Sequence, residues 1–192
     1  MKAILISIKP EWVEDILNGE KTIEIRKTCP QVFKNLKPYE GCSIDVYIYC
    51  SKDKYQELCW FDGYGYRQTM VNHEHKLPAL NGKVVAKFTL NKVEEIKFTE
   101  NEWCGTKETP SLQVLDKSCL SPEEITAYLK NKNGKGYAWH ISNLVIFDRP
   151  RELNEFKRCT EKTCIYGKCH KYMHCLKLLT KAPQSYMFVE VE

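Results

Sequence analysis

The sequence predicts an α+β fold, a small mixed or mostly antiparallel β-barrel with short helices against its side. Segments of period two, rich in β-branched and aromatic residues, recur from the beginning of the chain to its end. Only two segments have helical spacing. They do not alternate regularly with the strands, which argues against a doubly wound sheet.

The elements follow in order. "AILISI" reads as a buried opening strand. Pro10 suits the first turn of a helix, because its fixed dihedral and missing N–H cost nothing there. Val13, Ile16 and Leu17 give that helix one apolar stripe, and Gly19 stands where a left-handed cap is wanted. From residue 21 to 28 the chain alternates, with Ile23 and Ile25 on one face and Thr22, Glu24 and Arg26 on the other, so a half-buried strand with a polar face is expected. "CSIDVYIYC" and "GKVVAKFTLNKV" are strands by the same period. Ser121, Pro122 and Glu124 spell a capping box, and Ile125, Tyr128 and Leu129 form the stripe of a second helix. "GYAWHISNLVIFDRP" reads as a strand pair or a bent strand ended by Pro150, and "SYMFVEV" as the closing strand.

A chain of 192 residues is long enough to bury one core. A single domain over 1–192 is expected, with an aromatic excursion at 52–80 that includes a short helix near Gln56, and a Cys-rich insertion at 157–181. No run approaches the roughly 18 apolar residues of a membrane helix, and the opening apolar stretch is too short for a secretory signal. A cytoplasmic setting follows. The formal charge of +4 chooses no partner by itself, but residues 157–181 carry seven Lys or Arg against one acid, Glu161. The basic character is therefore local.

Of the ten cysteines, four lie in "CTEKTCIYGKCHKYMHC". Cys159, Cys164, Cys169 and Cys175 are spaced C-x4-C-x4-C-x5-C in a hydrophilic stretch that core packing does not explain. A structural zinc bound by four thiolates would order such a segment, with His170 and His174 as alternative ligands and Lys162, Lys168 and Lys171 turned to phosphates. Free thiols or redox disulfides are the other reading.

The charged strand is the candidate site. Glu24 and Arg26 are two residues apart on one face, where a carboxylate can fix a guanidinium so that its remaining N–H groups point at a carbonyl, ring nitrogen or phosphate. With Lys21 and Gly19 they would line a cleft between the first helix and the barrel. A solvated, aggregation-resistant strand edge would use the same residues. Tyr137 and Trp139 alternate with His140, and Tyr186 and Phe188 flank Met187. Rings bordering the cleft would stack on a base at about 1–3 kcal/mol each, while the alternative is core packing.

Gly19, Lys21, Glu24 and Arg26 stand as G-x-K-x-x-E-x-R between a short helix and a strand, which resembles the signature of the ASCH family. "GYAWHISNLVIFDRPREL" and "KAPQSYMFVEV" are similar to the later strands of ASCH proteins common in bacteria and their phages. The resemblance covers most of the chain and leaves out residues 52–80 and 97–120. It implies a PUA-like β-barrel, here with a zinc-knuckle-like loop, and an RNA-binding or nucleotide-recognising module using Gly19, Lys21, Glu24, Arg26, Tyr137, Trp139 and His140. One family branch is similar to amidohydrolases acting on N4-acetylcytidine, for which Lys21 matches the catalytic lysine, but Glu24 stands where that branch has threonine. A hydrolase of a modified nucleoside, or a ribonuclease, is thus the alternative, with Lys21 and Glu24 as its catalytic pair. A further alternative is a phage-type factor that binds a host protein through the Cys-rich knuckle and the aromatic excursion.

Overall fold

The computed structural model describes residues 2–34, 42–71, 78–97, 99–100, 107–108, 112–130, 134–158 and 177–191. In chain order the elements begin with β1 (Lys2–Ile8), α1 (Pro10–Leu17), β2 (Ile23–Arg26), α2 (Gln31–Lys34) and β3 (Ile44–Cys50). Then come β4 (Gln56–Phe61), β5 (Gly65–Met70), β6 (Val84–Leu90), β7 (Val93–Lys97), β8 (Thr99–Glu100) and β9 (Lys107–Glu108). The rest are α3 (Leu112–Ser118), α4 (Pro122–Leu129), β10 (Lys135–His140), β11 (Ser142–Arg151), β12 (Lys157–Arg158), β13 (Lys177–Leu178) and β14 (Tyr186–Glu190). They fall into two compact units, one of residues 1–18, 44–88 and 144–192, the other of residues 19–43 and 89–143.

In the first unit the main sheet runs β11-β6-β3-β1-β14-β12-β13. β1 lies in the middle, parallel to β3 and antiparallel to β14. A strand buried on both faces should be a continuous apolar run, and "AILISI" is one. Ala3 and Leu5 pack with Tyr47, Tyr49, Val84 and Phe156, and the Phe156 ring meets Tyr47 edge-on at 5.2 Å. Burying each large side chain contributes roughly 1.5–3 kcal/mol.

The expected barrel is not formed. Among the described residues the sheets are open, because β11 and β13 end the main sheet without pairing to each other. Alternation specifies which segments become strands but carries no information on closure. Closure requires a pairing between the outermost strands.

The expected helix near Gln56 is also replaced, since residues 56–70 form the hairpin of β4 and β5. Side chains cover both of its outer edges. Asn18 accepts from the Tyr66 N–H at 3.1 Å and donates to the Tyr66 carbonyl at 2.9 Å, and the Glu14 carboxylate accepts from the Gln68 N–H at 3.1 Å. On the β4 side, Asn81 accepts from the Leu58 N–H at 2.8 Å and donates to the Gln56 carbonyl at 3.0 Å. Two asparagines thus do for this hairpin what neighbouring strands do inside a sheet.

In the second unit β2, β10 and β7 form an antiparallel sheet with β10 central. Its apolar face, Ile23, Ile25, Ala138 and Ile96, packs against Val114 of α3 and Ile125 and Leu129 of α4. The capping box starts α4 as expected, with Ser121 Oγ accepting from the Glu124 N–H and the Glu124 carboxylate accepting from the Ser121 N–H. Gly136 is required by close packing: a Cβ there would stand 2.8 Å from Leu129 and 3.3 Å from the Arg26 carbonyl. Among the described residues no helix is long and apolar enough to cross a membrane.

Candidate functional site

Gly19 adopts φ +81°, the left-handed conformation expected after the first helix. The chain then passes the C-terminal end of α3, where the Thr22 N–H donates to the Lys117 carbonyl at 2.9 Å. The Lys21 ammonium donates to the Ser118 carbonyl. Helix C-termini leave carbonyls without intrahelical donors and favour cations, so Lys21 completes α3. Just past the end of β10, the Ile141 N–H donates to the Thr22 carbonyl at 2.9 Å, fixing the start of β2.

Glu24 then joins the charged groups. One carboxylate oxygen lies 3.5 Å from Lys21 Nζ and the other 3.0 Å from Arg26 Nε. Their side chains are only 1, 9 and 7 % exposed for Lys21, Glu24 and Arg26. Thus the three expected residues come together, but the polar face of the strand is buried rather than half-wet. A buried charge requires a partner, and Glu24 serves both cations.

The register sets Glu24 opposite Trp139 and Arg26 opposite Tyr137, so all four side chains belong to one face of the sheet. Trp139 is fully buried, which makes it a core residue in this structure, not a presented stacking ring. Tyr137 is partly exposed. His140 lies on the opposite face with Ile23, and its Nε2 is 2.9 Å from the Glu94 carboxylate. Burial holds the His140 pKa below the ordinary imidazole value, opposed by the Glu94 charge. Burial disfavours the Glu94 carboxylate as well, but the Lys92 hydrogen bond and His140 outweigh it and its pKa is lowered.

One contributor was not singled out from the sequence. Tyr128, which counts as part of the α4 apolar stripe by spacing, lies close enough to Arg26 and Glu24 for both charges to act on its phenol. Burial raises its pKa, and the Arg26 charge works the other way. The Lys27 ammonium lies 4.7 Å from the centre of the ring. The only signal in the sequence is an aromatic hydroxyl at a stripe position, where leucine would fill the same role without needing a polar partner.

The zinc ligands proposed from spacing, Cys159, Cys164, Cys169 and Cys175, lie outside the described residues. Among the described residues no group of three or more His, Cys, Asp or Glu side chains is arranged to hold a metal ion. Cys29 and Cys50 are buried thiols whose pKa values burial pushes up to about 11 and about 12.

Neither a protein-family model nor a curated protein matches the chain. Solved structures do. The ASCH protein of Zymomonas mobilis superposes with a TM-score of 0.52 at 15% identity, covering 98% of this chain and 87% of that one. A tyrosine-to-phenylalanine variant of the same protein gives 0.51 at 15% identity, covering 99% and 91%. At such identity the likeness concerns the fold. The chain has an ASCH-type fold, in agreement with the resemblance drawn from the G-x-K-x-x-E-x-R stretch.

Proposed function

We propose that this chain is a nucleic-acid-binding module that takes single-stranded RNA, or a single nucleotide, at the corner formed by Lys21, Glu24 and Arg26. The observation that carries this reading is the 3.0 Å contact between Glu24 and Arg26 Nε. Held on that side, the guanidinium keeps a fixed orientation, and its planar fork has the geometry that base edges and phosphates accept. The ASCH-type fold agrees with this reading, since the family it resembles is regarded as RNA-binding. Arg26→Lys keeps the charge and loses the planar fork. Fluorescence anisotropy with a labelled ten-nucleotide single-stranded RNA should show saturable binding that weakens at least tenfold in this variant. Absence of saturable binding by the unaltered chain would overturn the reading.

The hydrolase alternative would need the Lys21 ammonium to move protons, whereas here it is buried against the Ser118 carbonyl and Glu24. Turnover of N4-acetylcytidine that disappears in Lys21→Met would favour it. A protein partner is supported by a separate observation: Tyr55, Trp60, Tyr64 and Met70 on and beside the β4–β5 hairpin are all at least half exposed. Nuclease-resistant capture of one host protein, lost in Trp60→Ala, would favour that reading. The structural zinc at Cys159, Cys164, Cys169 and Cys175 is proposed with either function. Native mass spectrometry that finds no zinc in the purified chain would remove it.

A further inference from the structure

A hollow of about 790 Å³ opens at the turn between α3 and α4, lined by Gln113, Leu115, Asp116, Cys119, Leu120 and Ser121. Its size falls in the range of small-molecule sites. The charged stretch sets its shape from behind. Buried Lys21 donates to the Ser118 carbonyl, and the Thr22 N–H donates to the Lys117 carbonyl at 2.9 Å. Cys119 follows directly and turns the chain with φ +53°, a left-handed conformation that a residue with a Cβ adopts only at a cost. The end of α3 is thus fastened to the start of β2.

The lining combines an apolar wall with polar groups. Leu115 and Leu120 pack against the core that holds Ile23, Ile25 and Ile125, so the wall is firm. Gln113 and Asp116 stand three positions apart on α3 and share one face. Both are exposed, and among the described residues neither side chain has a hydrogen-bond or ion-pair partner. Ser121 Oγ accepts from the Glu124 N–H, which leaves its hydroxyl proton to donate. An ionised carboxylate only accepts, and its two oxygens match two neighbouring N–H donors. Of the RNA bases only guanine offers such a pair on one edge, N1–H and the N2 amine, with the O6 acceptor beside them.

We infer that this hollow receives a guanine base, with the Asp116 carboxylate accepting from N1–H and the N2 amine and the donors of Gln113 and Ser121 turned to O6. This rests on the nucleic-acid reading given above and deepens it by naming the base and assigning its recognition to residues outside the G-x-K-x-x-E-x-R stretch.

Calorimetry of the full chain with guanosine and inosine monophosphates tests this, because inosine lacks only the N2 amine. The unaltered chain should bind the guanosine nucleotide about tenfold more tightly, the discrimination expected of one well-placed base contact. Asp116→Asn puts an NH2 group where an oxygen accepted, at an exposed position, and should bring the ratio to about one. Anisotropy should show the same preference, and the same loss, for a labelled ten-nucleotide RNA with one guanosine among uridines over an all-uridine strand. Guanine-selective nucleotide binding without RNA binding supports the pocket, and only the polymer reading then fails. Equal binding of the two nucleotides, or a preference that survives Asp116→Asn, overturns the inference and leaves the proposed function standing where RNA still binds. No response to RNA or to either nucleotide overturns both.

Discussion

β2 and β7 flank the same central strand, and both mix isoleucine or valine with charged residues. In β2 all four residues are buried, Glu24 and Arg26 included. In β7 only Val93 and Ile96 are buried, while Glu94 and Glu95 remain 35 and 39 % exposed at their side chains. The difference lies in the partners. Glu95 meets the half-exposed Lys135 at 2.8 Å, a pair that water solvates on both sides. Glu24 meets two buried cations and stands in for their water. The same residue type in similar strand patterns is therefore a surface charge in one strand and an internal structural part in the other.

The largest expected effect separates the two strands directly. Glu24→Ala leaves two buried cations without their shared carboxylate and should destabilise the fold by about 3–5 kcal/mol in a urea melt. Glu95→Ala should cost no more than about 1 kcal/mol. Equal effects would dissolve the contrast. Next is Gly136→Ala, whose methyl would press on Leu129 and the Arg26 carbonyl and should cost about 1–3 kcal/mol. It would lift α4, with Tyr128, from the β2 side of the sheet, so RNA affinity should fall along with stability. Ser121→Ala removes one half of the capping box that starts α4, and about 1 kcal/mol is expected.

The smallest effect belongs to the β7 side and is read from pH. The folded pKa of His140 lies below its unfolded value of 6.5 because burial disfavours the imidazolium. The unfolded chain therefore takes up the proton first, and stability declines as pH falls through 6.5 toward the folded value and recovers above it. His140→Gln should flatten that part of the stability profile. Glu94 has the opposite sign. Its folded pKa lies below 4.5, so its contribution is present above 4.5 and disappears only as pH falls through the lowered value. A profile that is flat between 5 and 7 in the unaltered chain would contradict the burial of His140.

Much of the site could be read in advance because its signals are local. Gly19 after a short apolar stripe, the alternation of Ile23 and Ile25 with Glu24 and Arg26, and the Ser121 capping box each span a few residues, and each is found in the structure. The wet polar face, the closed barrel and the helix at Gln56 were not found, for a common reason. Each depends on what a segment meets elsewhere, whether Lys21 and Tyr128 for the strand charges, a strand to close the sheet, or Asn18 and Asn81 for the hairpin edges. Trp139 shows the same limit, since alternation placed it with Tyr137 but could not tell that it would be fully buried while Tyr137 remained partly exposed.

By itself the sequence determined the strand and helix periods, the turn at Gly19 and the pairing of an acid with a guanidinium two residues away. These follow from backbone geometry, which acts over a few residues. Only the tertiary structure decided that the pair would be buried, that Lys21 would serve a carbonyl 97 positions distant, and that a tyrosine from α4 would be the more exposed end of the cluster. Desolvation depends on every neighbour in space, and most of those neighbours are far away along the chain.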